Sequence, residues 1–392
     1  MYELSLVIVL TIALTPFQWS WGGRRIDGVH AQLSPRWNVP AIYIFGDSSA
    51  DSGNNNELST IARANFPPYG RDFDSHHATG RFSDGKTTAD WIRKLFRYNF
   101  LGLPLAPAYL SREARMFPFQ GANFASAGSG ILNHTGNVLG QQLSGWQQVE
   151  LFLERWNDLA ARMGESAASR HLRDSVLYIA SGANDFVHNC ITNDTDSAML
   201  PNNEFNQLLL TTFTQQLQVL YNAGARKVAL LGVGPVGCAP LFLWLLNTTT
   251  GECMETVNEY VSEFNDGLRE MLVSFNRRNR GAHFVYRDTR DAVYLMAKYP
   301  ILYGFVNGNT ACCGSGNYGG GDRCSSPMSV CGYPPYHVWW DEYHTSNRAN
   351  NIIARQAWSG FDRSSTTRNS TSTTIYSFLT IQQLAALQLT ED

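Results

Sequence analysis

The chain has 392 residues, 44% hydrophobic and 12% aromatic, enough apolar material for the core of a large, enzyme-sized globular unit; size alone admits one domain or two. With 30 Lys+Arg against 33 Asp+Glu the formal charge is only -3. No basic run of the kind that tracks phosphates appears, which argues against a nucleic-acid partner. The first element is an apolar run from Leu6 to Leu14, too short for a stable membrane span. It reads as a secretory signal, although Glu3 and the lack of Lys or Arg make its leading region atypical; cleavage is expected after Gly22 or Ala31. Strand-like runs follow at Ala41–Phe45, Gly121–Ala125, Ser175–Ala180, Lys227–Gly232 and His283–Tyr286. Helical patterns lie between them at Trp146–Met163, Glu204–Ala223 and Glu255–Arg278, their apolar stripes serving as core faces. This alternation predicts an α/β fold, in which ligands sit beyond the carboxyl ends of the strands. No repeat or linker divides the body, so residues 32–392 are expected to form a single domain. A polar, Ser/Thr-rich stretch, Arg363–Thr374, precedes a short apolar tail, which is expected to pack against the core because it lacks the basic face of a membrane-surface helix.

The first strand runs directly into Gly46-Asp47-Ser48-Ser49-Ala50-Asp51-Ser52-Gly53-Asn54-Asn55. Glycine frees the backbone to turn, and Ser48 is expected at the start of the next helix, where unpaired N–H groups stabilise negative charge. That is how a nucleophile is presented, and it is equally how an ordinary capped turn is written.

A nucleophilic serine needs a base, and the base an orienting carboxylate. The spacing Asp-x-x-His occurs four times: Asp27/His30 beside the signal, Asp74/His77 in a polar loop, Asp185/His188 after a strand, and Asp341/His344 in an aromatic setting. Spacing does not choose among them, although an aromatic, buried setting would strengthen the last pair. Oxyanion donors are offered at two strand ends, Asn123–Gly130 with its glycines and Ser181–Asp185 with its amide at Asn184; either segment is also an ordinary helix-initiating turn. Phe66, Tyr69, Phe186, Trp339 and Trp340 suit either a substrate groove or the core, more often the core. For Arg81 an internal ion pair is expected ahead of a substrate contact.

Seven cysteines, Cys190, Cys238, Cys253, Cys312, Cys313, Cys324 and Cys331, predict disulfides in an oxidising compartment. Paired C-x-x-C spacing is missing, and His337 and His344 complete no finger pattern, so neither a metal nor a cofactor is expected. Sequons at Asn133, Asn193, Asn247 and Asn369 accord with secretion.

Together the blocks Phe45–Ser48, Ser52–Asn56, Phe66–Gly70, Thr79–Gly85, Asn123–Gly128, Ser181–Asp185, Gly232–Pro240, Cys312–Gly314 and the Asp341/His344 pair closely resemble the plant GDSL-type (SGNH) serine esterases and lipases. The resemblance spans nearly the whole mature chain. It implies a three-layer α/β/α sandwich on a parallel, flavodoxin-like sheet. It implies Ser48 as nucleophile, His344 as base and then acid, and Asp341 as orienting carboxylate. The oxyanion hole would be the N–H of Ser48, the N–H of Gly128, with Gly130 as a fallback, and the Asn184 amide. The chain departs from the family pattern at Ser49, where Leu is usual, and at Thr345, where Pro follows the histidine. The implied function is that of a secreted serine esterase or lipase working through an acyl-enzyme on lipid, small acyl or acetylated cell-wall esters. An acyltransferase or polysaccharide deacetylase using the same site, or a non-catalytic carbohydrate- or lipid-binding relative, are the alternatives.

Overall fold

Four apolar runs hydrogen-bond as parallel strands: β1 (Ile42–Gly46), β2 (Val176–Ala180), β3 (Lys227–Leu231) and β4 (His283–Arg287), in that spatial order. Ile42 lies opposite Val176, Val176 opposite Lys227, and Lys227 opposite His283. The computed structural model describes residues 39–100, 104–191, 202–360 and 379–389, with backbone alone at 97–100, 190–191 and 202. Among the expectations, the signal and its cleavage points, Asp27/His30, Asn193, Asn369 and the polar stretch Arg363–Thr374 lie outside the described residues.

A strand turns successive side chains to opposite faces. Tyr43, Phe45, Leu177, Ile179, Val228, Leu230 and Phe284 therefore share one core, closed by the helices Gly145–Met163, Asn202–Asn222 and Glu255–Arg278. Ile42, Ile44, Val176, Tyr178, Ala229, Leu231 and Val285 share the other, closed by Thr88–Phe100, Asn347–Ser359 and Ile381–Ala386. Both faces are covered, which is why the strands read as nearly unbroken apolar runs. The result is the expected three-layer α/β/α sandwich. In the tail, Ile381 and Leu384 are buried, and the buried Lys227 donates through Nζ to Leu387 O at 2.7 Å.

Two local expectations change. Residues 121–126 do run beside β1, with Ile44 N–H donating to Ala122 O at 3.0 Å and Phe124 N–H to Ile44 O at 2.7 Å, yet only isolated bridges form. The Asn123 side chain is the cause: its Oδ1 accepts from Ala125 N–H at 2.9 Å and its Nδ2 donates to Ala50 O at 2.6 Å, a local turn that competes with the ladder. With this irregular edge included, chain order across the sheet is 2-1-3-4-5, a doubly wound arrangement that reverses beside β1. Second, no helix begins at Ser48. A single turn closes, Asp51 N–H donating to Asp47 O at 2.9 Å, after which the Asp51 carboxylate accepts from Gly53 and Asn54 N–H at 2.7 and 2.8 Å and diverts the chain into a loop.

Three disulfides form, Cys238–Cys253, Cys312–Cys331 and Cys313–Cys324. The last two close the Gly-rich stretch on itself, and backbone hydrogen bonds from Cys312 N–H to Trp339 O and Cys313 N–H to Trp340 O, at 3.1 and 2.7 Å, join it to the strand His337–Trp339 and the turn after it. The side chain of the seventh cysteine, Cys190, lies outside the described residues.

Candidate active site

β1 ends on Gly46 with φ of 145°, and a Cβ there would stand 2.1 Å from Ala180 O, so the turn into Ser48 tolerates only glycine. Gln148 clamps it from a flanking helix, accepting from Gly46 N–H and donating to Gly46 O, each at 2.9 Å. Ser129 Oγ donates to the same carbonyl at 2.9 Å. The serine is thus carried on a backbone held from three sides.

From the far end of the chain, His344 brings Nε2 to 2.7 Å from Ser48 Oγ. Its Nδ1 lies 2.7 and 2.8 Å from the two Asp341 oxygens. A tight turn sets this spacing: His344 N–H and Tyr343 N–H donate to Asp341 Oδ1 at 2.7 and 2.9 Å, and Trp340 N–H donates to His344 O at 2.7 Å. Tyr69 Oη donates to Asp341 Oδ2 at 2.8 Å, and the Phe82 ring packs 4.9 Å from the imidazole. Burial pushes the Asp341 carboxyl up, but the His344 charge and these donors overcome it and hold the carboxyl below its usual range. Burial likewise pushes His344 down, and Asp341 more than reverses this, so the imidazole titrates above 6.5. Glu342, next in the turn, is driven up to about 7 by burial and then by the Asp341 charge.

The structure brings together one Asp-x-x-His pair and Ser48, and disposes of the other described pairs differently. The Asp185 carboxylate accepts from Ile131 N–H, Leu132 N–H and Thr135 Oγ1 at 2.8, 3.1 and 2.7 Å, organising a turn instead of His188. Asp74 pairs with Lys86, while His77 Nδ1 faces Ser75 O.

Ser48, Gly128, Asn184 and His344 line one cleft of about 630 Å³ at the carboxyl ends of the strands. Asn184 is the second residue of the helix Ala183–Ile191, and its Nδ2 donates to Ser129 O at 2.9 Å, which fixes the amide. Gly128 has φ of 84°. Gly130 is not among the lining residues, and a Cβ there would meet the Asp185 carboxylate at 2.4 Å. Phe66, Tyr69 and Trp339 line the cleft, whereas Phe186 and Trp340 are core. Arg81 is buried in an ion pair, Nε to Asp90 Oδ2 at 2.6 Å and Nη2 to Oδ1 at 2.9 Å.

Thr345 replaces the ring constraint of a proline with hydrogen bonds: its Oγ1 donates to Asn350 Oδ1 at 2.6 Å, and its carbonyl accepts from Asn350 Nδ2 at 3.1 Å. Gln148, Asn350 and the Tyr69 hydroxyl are parts of the site that sequence reasoning missed. Tyr69 sits in a recognised block, but nothing local pairs it with a carboxylate 272 residues away.

Residues 42–357 match the GDSL-like Lipase/Acylhydrolase family. A GDSL esterase/lipase of Arabidopsis thaliana is 37% identical over 82% of this chain and 84% of its own length. A second is 39% identical over 82% and 89%, and GDSL esterase/lipase 7 of the same plant is 36% identical over 90% and 94%. Among solved structures, the acetylxylan esterase Axe2 of Geobacillus stearothermophilus aligns at 12% identity over 82% of this chain and 93% of that one, with a TM-score of 0.36. With a family match across most of its length and relatives at this level of identity, the chain belongs to the GDSL-like lipase/acylhydrolase family of ester hydrolases.

Proposed function

We propose that the protein is a secreted serine esterase or lipase that cleaves carboxylic esters through an acyl-enzyme on Ser48. The observation that carries this reading is the continuous chain from Ser48 Oγ through both nitrogens of His344 to the buried Asp341 carboxylate. His344 Nε2 takes the Ser48 proton as Oγ attacks the ester carbonyl. Asp341 accepts a hydrogen bond from Nδ1–H without taking the proton, fixing the tautomer and stabilising the imidazolium that forms. The N–H groups of Ser48 and Gly128 and the Asn184 amide serve the developing oxyanion. His344 then protonates the departing alcohol and activates water to release the acid. Three disulfides support an oxidising destination, and exposed Asn133 and Asn247 are available to glycosylation. No helix among the described residues is long and apolar enough to cross a membrane.

The test is release of p-nitrophenol from acetate, butyrate and palmitate esters by wild type and Ser48→Ala. Turnover is expected only with the serine, which alone should take a fluorophosphonate label. Normal hydrolysis by Ser48→Ala would overturn the assignment. N-terminal sequencing of the exported protein, and its mobility after deglycosylation, test secretion and sequon use.

A further inference from the structure

Glu342 lies one residue beyond Asp341 and lines the cleft that holds Ser48 and His344, yet it has no part in the hydrogen-bond chain between them. It is 6% exposed, and its Oε2 is a buried oxygen without a hydrogen-bond partner among the described residues. An orphaned acceptor in a folded core is costly, and the side chain that carries this one lines a ligand cleft, from which a donor on the ligand can be supplied. Arg323 lines the same cleft, is exposed, and is near enough to act on Glu342 electrostatically. The loop that carries it is pinned by Cys313–Cys324. A guanidinium that only donates and a carboxylate that accepts together match a hydroxyl group, which does both.

Resting on the catalytic reading of Ser48 and His344, we propose that Glu342 and Arg323 form a hydroxyl-recognising subsite for the alcohol half of the ester, so that the preferred substrates are acyl esters of polyols or sugars rather than of simple alkyl alcohols. The side of the cleft follows from the chemistry. The carbonyl oxygen turns toward Gly128 and Asn184, whereas the departing oxygen must approach His344 Nε2 to be protonated. The alcohol therefore extends over the turn that carries His344, and Glu342 stands two residues earlier in that turn. Apolar lining elsewhere in the cleft, including Val233, Val236, Val293 and Ile353, is left to the acyl chain.

The experiment compares kcat/KM for glycerol monobutyrate and ethyl butyrate in wild type, Glu342→Leu and Arg323→Met, with fluorophosphonate labelling of Ser48 as the measure of an intact site. Wild type should favour the glyceryl ester. That preference should fall about tenfold in Glu342→Leu and about threefold in Arg323→Met. Ethyl 2-hydroxybutyrate moves the hydroxyl to the acyl side and should gain nothing over ethyl butyrate. An unchanged glyceryl-to-ethyl ratio in labelled variants, or a preference that follows the acyl hydroxyl, overturns the proposal. Wild type that hydrolyses neither ester and takes no label refutes the catalytic reading instead, and the proposal with it. Because Glu342→Leu alters a buried position, the exposed Arg323→Met supplies a second readout: free glycerol should slow labelling of wild type more than of this variant, and equal slowing counts against the subsite.

Discussion

Replacing Tyr69 with phenylalanine removes one oxygen from the interior and leaves the ring in place among Phe66, Phe82 and Trp340. That oxygen donates at 2.8 Å to Asp341 Oδ2, with donor and acceptor both buried. A hydrogen bond to a charged group contributes about 1.5–3 kcal/mol, and water has little access to substitute for it. Three donors remain on the carboxylate, from His344 Nδ1, His344 N and Tyr343 N, so Tyr69→Phe should fold and lose about 2 kcal/mol at pH 7, or about 2–4 °C in Tm for a chain of this size. The sign of the pH dependence follows from Asp341, whose folded pKa lies below 3.8. Its contribution is present above that value and lost as pH falls, because protonation weakens the acceptor. The gap between wild type and variant, measured by thermal denaturation, should therefore hold from pH 7 down to 3.8 and narrow only as pH falls below it. A gap that is absent at pH 7, or that widens on acidification, would refute the reasoning.

The esterase pH profile should report His344. Only neutral imidazole accepts the serine proton, so kcat/KM should fall as pH drops through a midpoint above 6.5. Asp341→Asn should move that midpoint lower and cut kcat by about 10³–10⁴; a midpoint that stays in place counts against the assignment. Asn184→Ala should lower kcat by about 10²–10³ with KM little changed, measured on p-nitrophenyl butyrate, since the amide is expected to act chiefly on the transition state. Ending the chain after Thr380 should uncover the sites of Ile381 and Leu384 and strip Lys227 of its carbonyl partner, lowering stability by about 3–6 kcal/mol in urea denaturation; an unshifted midpoint would contradict the packing described.

The sheet and its long helices were legible because their signals are local and repetitive. Runs such as Val176–Ala180 are apolar for their full length, and Glu255–Arg278 keeps its stripe for 24 residues. Legibility failed where one side chain overrides the pattern: Asn123 bends an otherwise good strand, and Asp51 diverts the chain after Ser48 from becoming a helix. At the site, spacing supplied four Asp-x-x-His candidates without ranking them, because the deciding fact is three-dimensional: Asp185 faces the 131–135 turn and Asp341 faces an imidazole that reaches Ser48. Cysteine pairing was hidden for the same reason, since Cys312 and Cys313 are neighbours that bond to different partners.

The sequence separation of 296 between Ser48 and His344 also sets a timetable. A ribosome delivers the Ser48 turn early, but the imidazole that reaches it arrives only after every described sheet strand has been made. Contacts of such separation close late in folding. If Ser48 and His344 act as proposed, a polypeptide that stops or is clipped before His344 would carry a serine without its base, so that hydrolytic competence would report that synthesis and folding had passed that residue.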